Sequence, residues 1–106
     1  MHRHNTMADV QELTRILVIR LSSLGDILLT TPVLRVLREY CPTARIDFLT
    51  KAAYQDVLRA NPCVDRLLLL EPQQGLRETL HRLRQTRYDV VVDLQRWQGR
   101  RHPQAP

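Results

Sequence analysis

The sequence predicts an α/β fold in which a parallel sheet carries flanking helices. Four short apolar runs alternate with three helical patterns, and that alternation argues for parallel β-α-β units. The first run, Arg15 to Arg20, is apolar without a period of two, as in a strand buried on both faces. Right-handed crossovers then restrict the topology to a doubly wound sheet in the order 3-2-1-4.

Each element has its own signal. Residues 15–20 form the first strand, and the polar loop Leu21 to Asp26 follows. Residues 27–41 read as helix, with Val33, Leu34, Leu37 and Cys41 inward and Arg35, Arg38 and Glu39 outward. Pro32 allows two readings: the helix starts there with Thr31 as cap, or a short first turn is kinked. Pro42 ends it. Residues 45–50 form a second strand, and 53–60 a short helix with Tyr54, Val57 and Leu58 inward, stopped at Asn61-Pro62. Residues 64–70 form a third strand, and Gly75 to Thr86 a helix with Leu76, Leu80 and Leu83 on one face. Residues 88–94 form the fourth strand.

Three segments are expected: a disordered lead-in at 1–14, a patterned domain at 15–95 and an irregular basic tail at 96–106. The sheet reaches its fourth strand with no helix after it, so the tail reads as a truncation or a frameshifted end. A functional basic arm anchored by Trp97 is the rival reading.

The net charge is +5, but residues 15–95 hold 12 basic and 9 acidic residues, spread along helix surfaces. Nucleic-acid binding, which needs a clustered basic face, is not expected. A mild basic excess suits an anionic lipid surface or a phosphorylated substrate. Cys41 and Cys63 show no metal-ligand spacing and read as thiols in a reducing compartment. His2 and His4 read as tail histidines. The polar start shows no signal peptide, and no run approaches the length of a membrane span, so a cytoplasmic location is expected.

In open α/β sheets, ligands bind beyond the carboxyl ends of the strands. Function is therefore expected in Ser22-Ser23-Leu24-Gly25-Asp26. No GxxxxGK[ST] or GxGxxG loop is present, and Lys51 is the sole lysine. Asp26 has two readings. It is a helix cap, favoured by backbone N–H groups and the helix dipole, or it is a general base at the mouth of the sheet. Asp89 reads as structural. Asp93, at the carboxyl end of the fourth strand, is a further candidate to face the cleft.

The run Ile16-Leu-Val-Ile-Arg20-Leu-Ser22-Ser23-Leu-Gly25-Asp26-Ile-Leu-Leu-Thr30-Thr31-Pro32-Val-Leu34 resembles the opening of the ADP-heptose:lipopolysaccharide heptosyltransferases, glycosyltransferase family 9. Pro42-x-Ala44-x-Ile46-Asp47, Asn61-Pro62-x-Val64-Asp65 and Tyr88-Asp89-Val-Val-Val-Asp93-Leu94 continue the resemblance, which covers about residues 15 to 95. It implies the Rossmann-like amino-terminal lobe of a GT-B glycosyltransferase, which receives the acceptor. A second lobe, outside this sequence, would hold the ADP-sugar. Transfer would proceed with inversion. The resemblance maps the catalytic Asp onto Asp26 and substrate contacts onto Ser22, Ser23 and Gly25. No obligatory metal and no other cofactor is expected. The implied partners are an ADP-sugar donor and a lipid-linked or oligosaccharide acceptor, with peripheral contact at the inner membrane face. Without the donor lobe, the chain by itself is expected to be inactive.

Two other functions stand beside the transferase. One is an inactive truncated product or a non-catalytic α/β binding module, and a second α/β lobe encoded downstream would count against the module. The other is a nucleotide-binding module, which requires ADP or ATP to raise the thermal midpoint.

Overall fold

The structure is a computed structural model and describes residues 14–95. The expected lead-in apart from Thr14, the expected tail with Trp97, and His2 and His4 lie outside the described residues.

Four parallel strands, β1 (Arg15–Ile19), β2 (Arg45–Lys51), β3 (Arg66–Leu70) and β4 (Val90–Asp93), pair in the order β3-β2-β1-β4. This is the predicted order. β1 pairs with β2 from Arg15 opposite Arg45 to Ile19 opposite Leu49, and with β4 from Ile16 opposite Val90 to Ile19 opposite Asp93.

Helices cover both faces. Alternation along each strand sends Ile16, Val18, Ile46 and Phe48 to one face, where they pack with Ile27, Leu34, Cys41 and Leu58. Those partners come from α1 (Leu24–Leu28), α2 (Thr31–Tyr40), its capping residue and α3 (Gln55–Arg59). Leu17, Ile19 and Leu49 take the other face, against Leu80 and Leu83 of α4 (Leu76–Arg84). Burial on both faces explains why β1 lacks alternation in sequence.

Of the two readings of Pro32 in the helical stretch 27–41, the fresh start holds, and a separate short helix, α1, precedes it. Pro32 has no N–H to offer the Leu28 carbonyl four residues back. The Thr31 hydroxyl donates to that oxygen at 2.9 Å, and the Thr30 hydroxyl to Ile27 O at 2.6 Å. The short first turn closes on these bonds, and α2 starts afresh with Thr30, not Thr31, as its cap. Val33, expected inward, is exposed.

Arg38, expected to face solvent, instead ties three segments together. Its Nη1 donates to Ala44 O at 2.7 Å and Pro42 O at 3.2 Å. Its Nη2 donates to Cys63 O at 3.2 Å and lies 2.6 Å from Asp65 Oδ2. Other boundaries shift slightly. A 3-10 turn over Ala52–Tyr54 precedes α3. β3 starts at Arg66 and β4 at Val90, and Leu76 at the start of α4 is exposed.

Candidate functional site

The loop after β1 lies where an open parallel sheet presents ligands. Arg20 and Leu21 leave the strand buried, held by Arg20 N–H to Leu49 O at 3.1 Å. The Ser22–Ser23 peptide is cis. Ser23 then caps α1, and Asp26 stands at the third position of that helix. Ile27 is fully buried and pins the helix to the sheet, so its neighbour Asp26 is held at the surface of the loop.

Asp26 Oδ2 accepts the Ser23 hydroxyl at 3.0 Å and the Ser23 N–H at 3.5 Å. The same oxygen lies 2.8 Å from Nη2 of Arg20, whose side chain is almost entirely buried. The Arg20 hydrogen bond, then those from Ser23, hold the Asp26 carboxyl below the ordinary carboxylate range. Asp26 is thus ionised at neutral pH and has acceptor capacity on its second oxygen.

The structure brings Ser23 and Asp26 into direct contact and places Ser22 beside them. The Ser22 N–H and Leu21 N–H donate to Gln95 Oε1 at 3.4 and 3.1 Å. A Cβ on Gly25 would meet nothing within 4 Å. Gly25 therefore sets no packing here, and its missing side chain leaves open space beside Asp26.

Arg20 and Gln95, which hold this loop, are residues the sequence reading passed over. Arg20 carried a usable signal: a charge closing an otherwise apolar buried strand, six residues before an aspartate. Gln95 carried none. Asp93 does not join Asp26. It lines a groove of about 140 Å³ with Leu17, Ile19, Leu80 and Leu83, on the face opposite α1. Asp89 is structural, as expected: its Oδ2 accepts the Thr14 N–H at 2.8 Å and the Arg15 N–H at 2.9 Å.

A second groove, about 620 Å³, opens at the carboxyl ends of β1, β2 and β3, lined by Leu21, Lys51, Tyr54, Leu70, Glu71 and Gln74 among others. It meets the Ser22–Asp26 loop at Leu21. Among the described residues, no group of three His, Cys, Asp or Glu side chains is placed to hold a metal ion. No helix among them is long and apolar enough to cross a membrane.

A parallel sheet in this order, with an ionised carboxylate at the tip of its inner strand, defines a Rossmann-like lobe that matches part of the GT-B glycosyltransferase fold. The particular likeness is to glycosyltransferase family 9, the heptosyltransferases, and the resemblance read from the sequence is borne out. Lipopolysaccharide heptosyltransferase 1 of Campylobacter coli is 31% identical over 86 residues, covering 76% of this chain and 25% of that protein. The family 9 glycosyltransferase of Veillonella parvula has a TM-score of 0.69 at 32% identity, over 77% of this chain and 26% of that one. The E. coli heptosyltransferase WaaC, solved with ADP, shares the fold at a TM-score of 0.60 and 23% identity, over 76% of this chain and 27% of that one. The chain thus spans about a quarter of the length of these relatives. No protein-family model matches it.

Proposed function

We propose that this chain is the acceptor-side, amino-terminal part of an inverting glycosyltransferase that moves heptose from ADP-heptose to a lipopolysaccharide core acceptor. The observation that carries the reading is Asp26: an ionised carboxylate at the carboxyl end of the parallel sheet, with one oxygen committed to Arg20 and Ser23. The likeness to a protein named as a lipopolysaccharide heptosyltransferase supports the substrate class.

In the proposed reaction, an acceptor hydroxyl attacks the anomeric carbon of the donor sugar. The new C–O bond forms as the bond to the diphosphate breaks, and ADP departs with that electron pair. Asp26 takes the hydroxyl proton. A carboxylate with a lowered pKa is a weak base towards a resting alcohol. The alcohol becomes acidic as bond formation advances, and the transfer is then downhill. Ser23 keeps the carboxylate oriented, and Ser22 and Gly25 border the acceptor. The groove lined by Lys51 and Tyr54 gives the acceptor room at the same edge of the sheet. The groups that bind the ADP-sugar belong to a second lobe, so residues 14–95 alone transfer no sugar. Work on a lipid-linked acceptor places the protein at the inner membrane face, on the cytoplasmic side.

The test is a chimera in which residues 15–95 replace the matching part of a family 9 relative, assayed for ADP release and acceptor glycosylation. Asp26→Asn is expected to lower kcat by about 10²- to 10⁴-fold, the usual worth of a general base, with acceptor binding kept. Near-normal turnover would return Asp26 to the role of helix cap.

A further inference from the structure

We propose that Arg20 is a positioning residue for Asp26, and that the end of β4 fixes both through the backbone of Leu94 and the side chain of Gln95. The proposal rests on the reading of Asp26 as the base.

Arg20 is the first residue beyond β1, and its side chain is 7% exposed. Its amide donates to Leu49 O on β2 at 3.1 Å. Its Nη1 donates to Leu94 O, just past β4, at 3.0 Å. Arg20 is thus held through its backbone by β2 and through its guanidinium by the end of β4, before its Nη2 meets Asp26 Oδ2 at 2.8 Å. Gln95 extends the brace by one residue, accepting the N–H groups of Leu21 and Ser22. Two successive residues at the end of β4 therefore hold the base's ion partner and the base's own loop.

The geometry also divides the two oxygens of Asp26. Among the described residues, its hydrogen bonds and ion pair fall on Oδ2. Oδ1 is the oxygen assigned to receive the acceptor proton. The planar fork of Arg suits this task, because two of its nitrogens serve two fixed acceptors at once. A lysine at this position keeps the charge and can hold Asp26 or Leu94 O, but not both in the same way.

Carboxyl-carbon NMR titration of the chain tests the pairing in wild type, Arg20→Gln and Arg20→Lys. Asp89 is the internal reference, since its donors Thr14 and Arg15 lie at the other end of β1. In Arg20→Gln the Asp26 midpoint should rise towards the ordinary carboxylate value while Asp89 stays put. In Arg20→Lys it should lie between the two. An unchanged Asp26 midpoint in folded Arg20→Gln overturns the proposal. Should Arg20→Gln not fold, Asp26→Asn decides: the Arg20 Nη protons must shift and exchange faster, and an unchanged Arg20 side-chain spectrum overturns it.

In the chimera, Arg20→Gln should lower kcat by about 10²-fold, the cost of a misplaced reacting group, with donor KM unchanged and partial rescue by lysine. The titration stands apart from turnover. A fully active Asp26→Asn chimera would remove the base and leave the Arg20 pairing intact. A flat titration would remove the pairing and leave the base.

Discussion

The Tyr88 hydroxyl donates to Oδ2 of Asp47 at 2.6 Å across 41 residues of sequence. Asp47 is fully buried in β2, and the same oxygen meets Arg45 and Arg66 at 3.2 Å each. Burial, and then the bond to Asp47, push the Tyr88 phenol above its ordinary value. The contact closes the chain between β2 and the approach to β4. Tyr88→Phe takes one donor from a buried charge and should cost about 1.5–3 kcal/mol, the range for hydrogen bonds to charged groups. Urea unfolding should show a lower midpoint with an unchanged slope. A midpoint equal to wild type would show that the two arginines suffice.

Stability should fall in acid, and the sign follows from three carboxylates. Asp89 is held below the ordinary range by the N–H groups of Thr14 and Arg15. Burial pushes Asp65 upward, but the Ile46 N–H and Arg38 outweigh it, and its net shift is also downward. Asp26 is lowered by Arg20 and Ser23. Each depressed pKa contributes stability that is complete above the unfolded value of 3.8 and is lost as pH falls through the folded value. The thermal midpoint should vary little from about pH 7 to pH 5 on this account and drop below about pH 4. Asp89→Asn should flatten that drop. An acid slope identical to wild type would count against Asp89 as a contributor.

Ile27 is the apolar anchor of α1, and its neighbour Leu28 is half exposed. Ile27→Ala should cost about 2–5 kcal/mol, and Leu28→Ala should stay within about 0.5 kcal/mol. Equal losses would mean that α1 is not held through its inward face.

Gly25 separates folding from binding. It is helical, and an added methyl meets nothing within 4 Å. Gly25→Ala should therefore stabilise the fold by up to about 1 kcal/mol, the propensity difference. In the chimera the same methyl should raise acceptor KM, because it enters the space beside Asp26. A stabilised variant with unaltered KM would move the acceptor away from Gly25.

The strand order was legible because β-α-β connections have one hand, and four apolar runs then allow few arrangements. Pro42 marked the end of α2 correctly. Pro32 marked the break to within one residue, but the choice of Thr30 over Thr31 as cap was not legible, because it depends on which hydroxyl takes the carbonyl that Pro32 cannot serve. Asp47 and Arg38 were missed for a shared reason. A charged residue reads as solvent-facing unless its partners are known, and each of these has one that is distant in sequence: Asp65 lies 27 residues from Arg38, and Arg66 lies 19 from Asp47. At the candidate site, Asp26 and Ser23 were legible as members of one loop, though not as bonded partners. Arg20 was hidden as the last letter of a strand, and Gln95 reaches the loop only through the sheet.

β1 has hydrogen-bonded neighbours on both sides and helices above and below, and Ile16 to Ile19 are each no more than 2% exposed. Amides in such a stretch exchange with solvent deuterium only when the whole domain opens. Arg20 grows directly from that strand and clasps Asp26, so the carboxylate is moored to a segment expected to be among the last to exchange. On the proposed reading of Asp26 as the base, an arriving sugar alcohol meets a fixed post and must itself supply the adjustment.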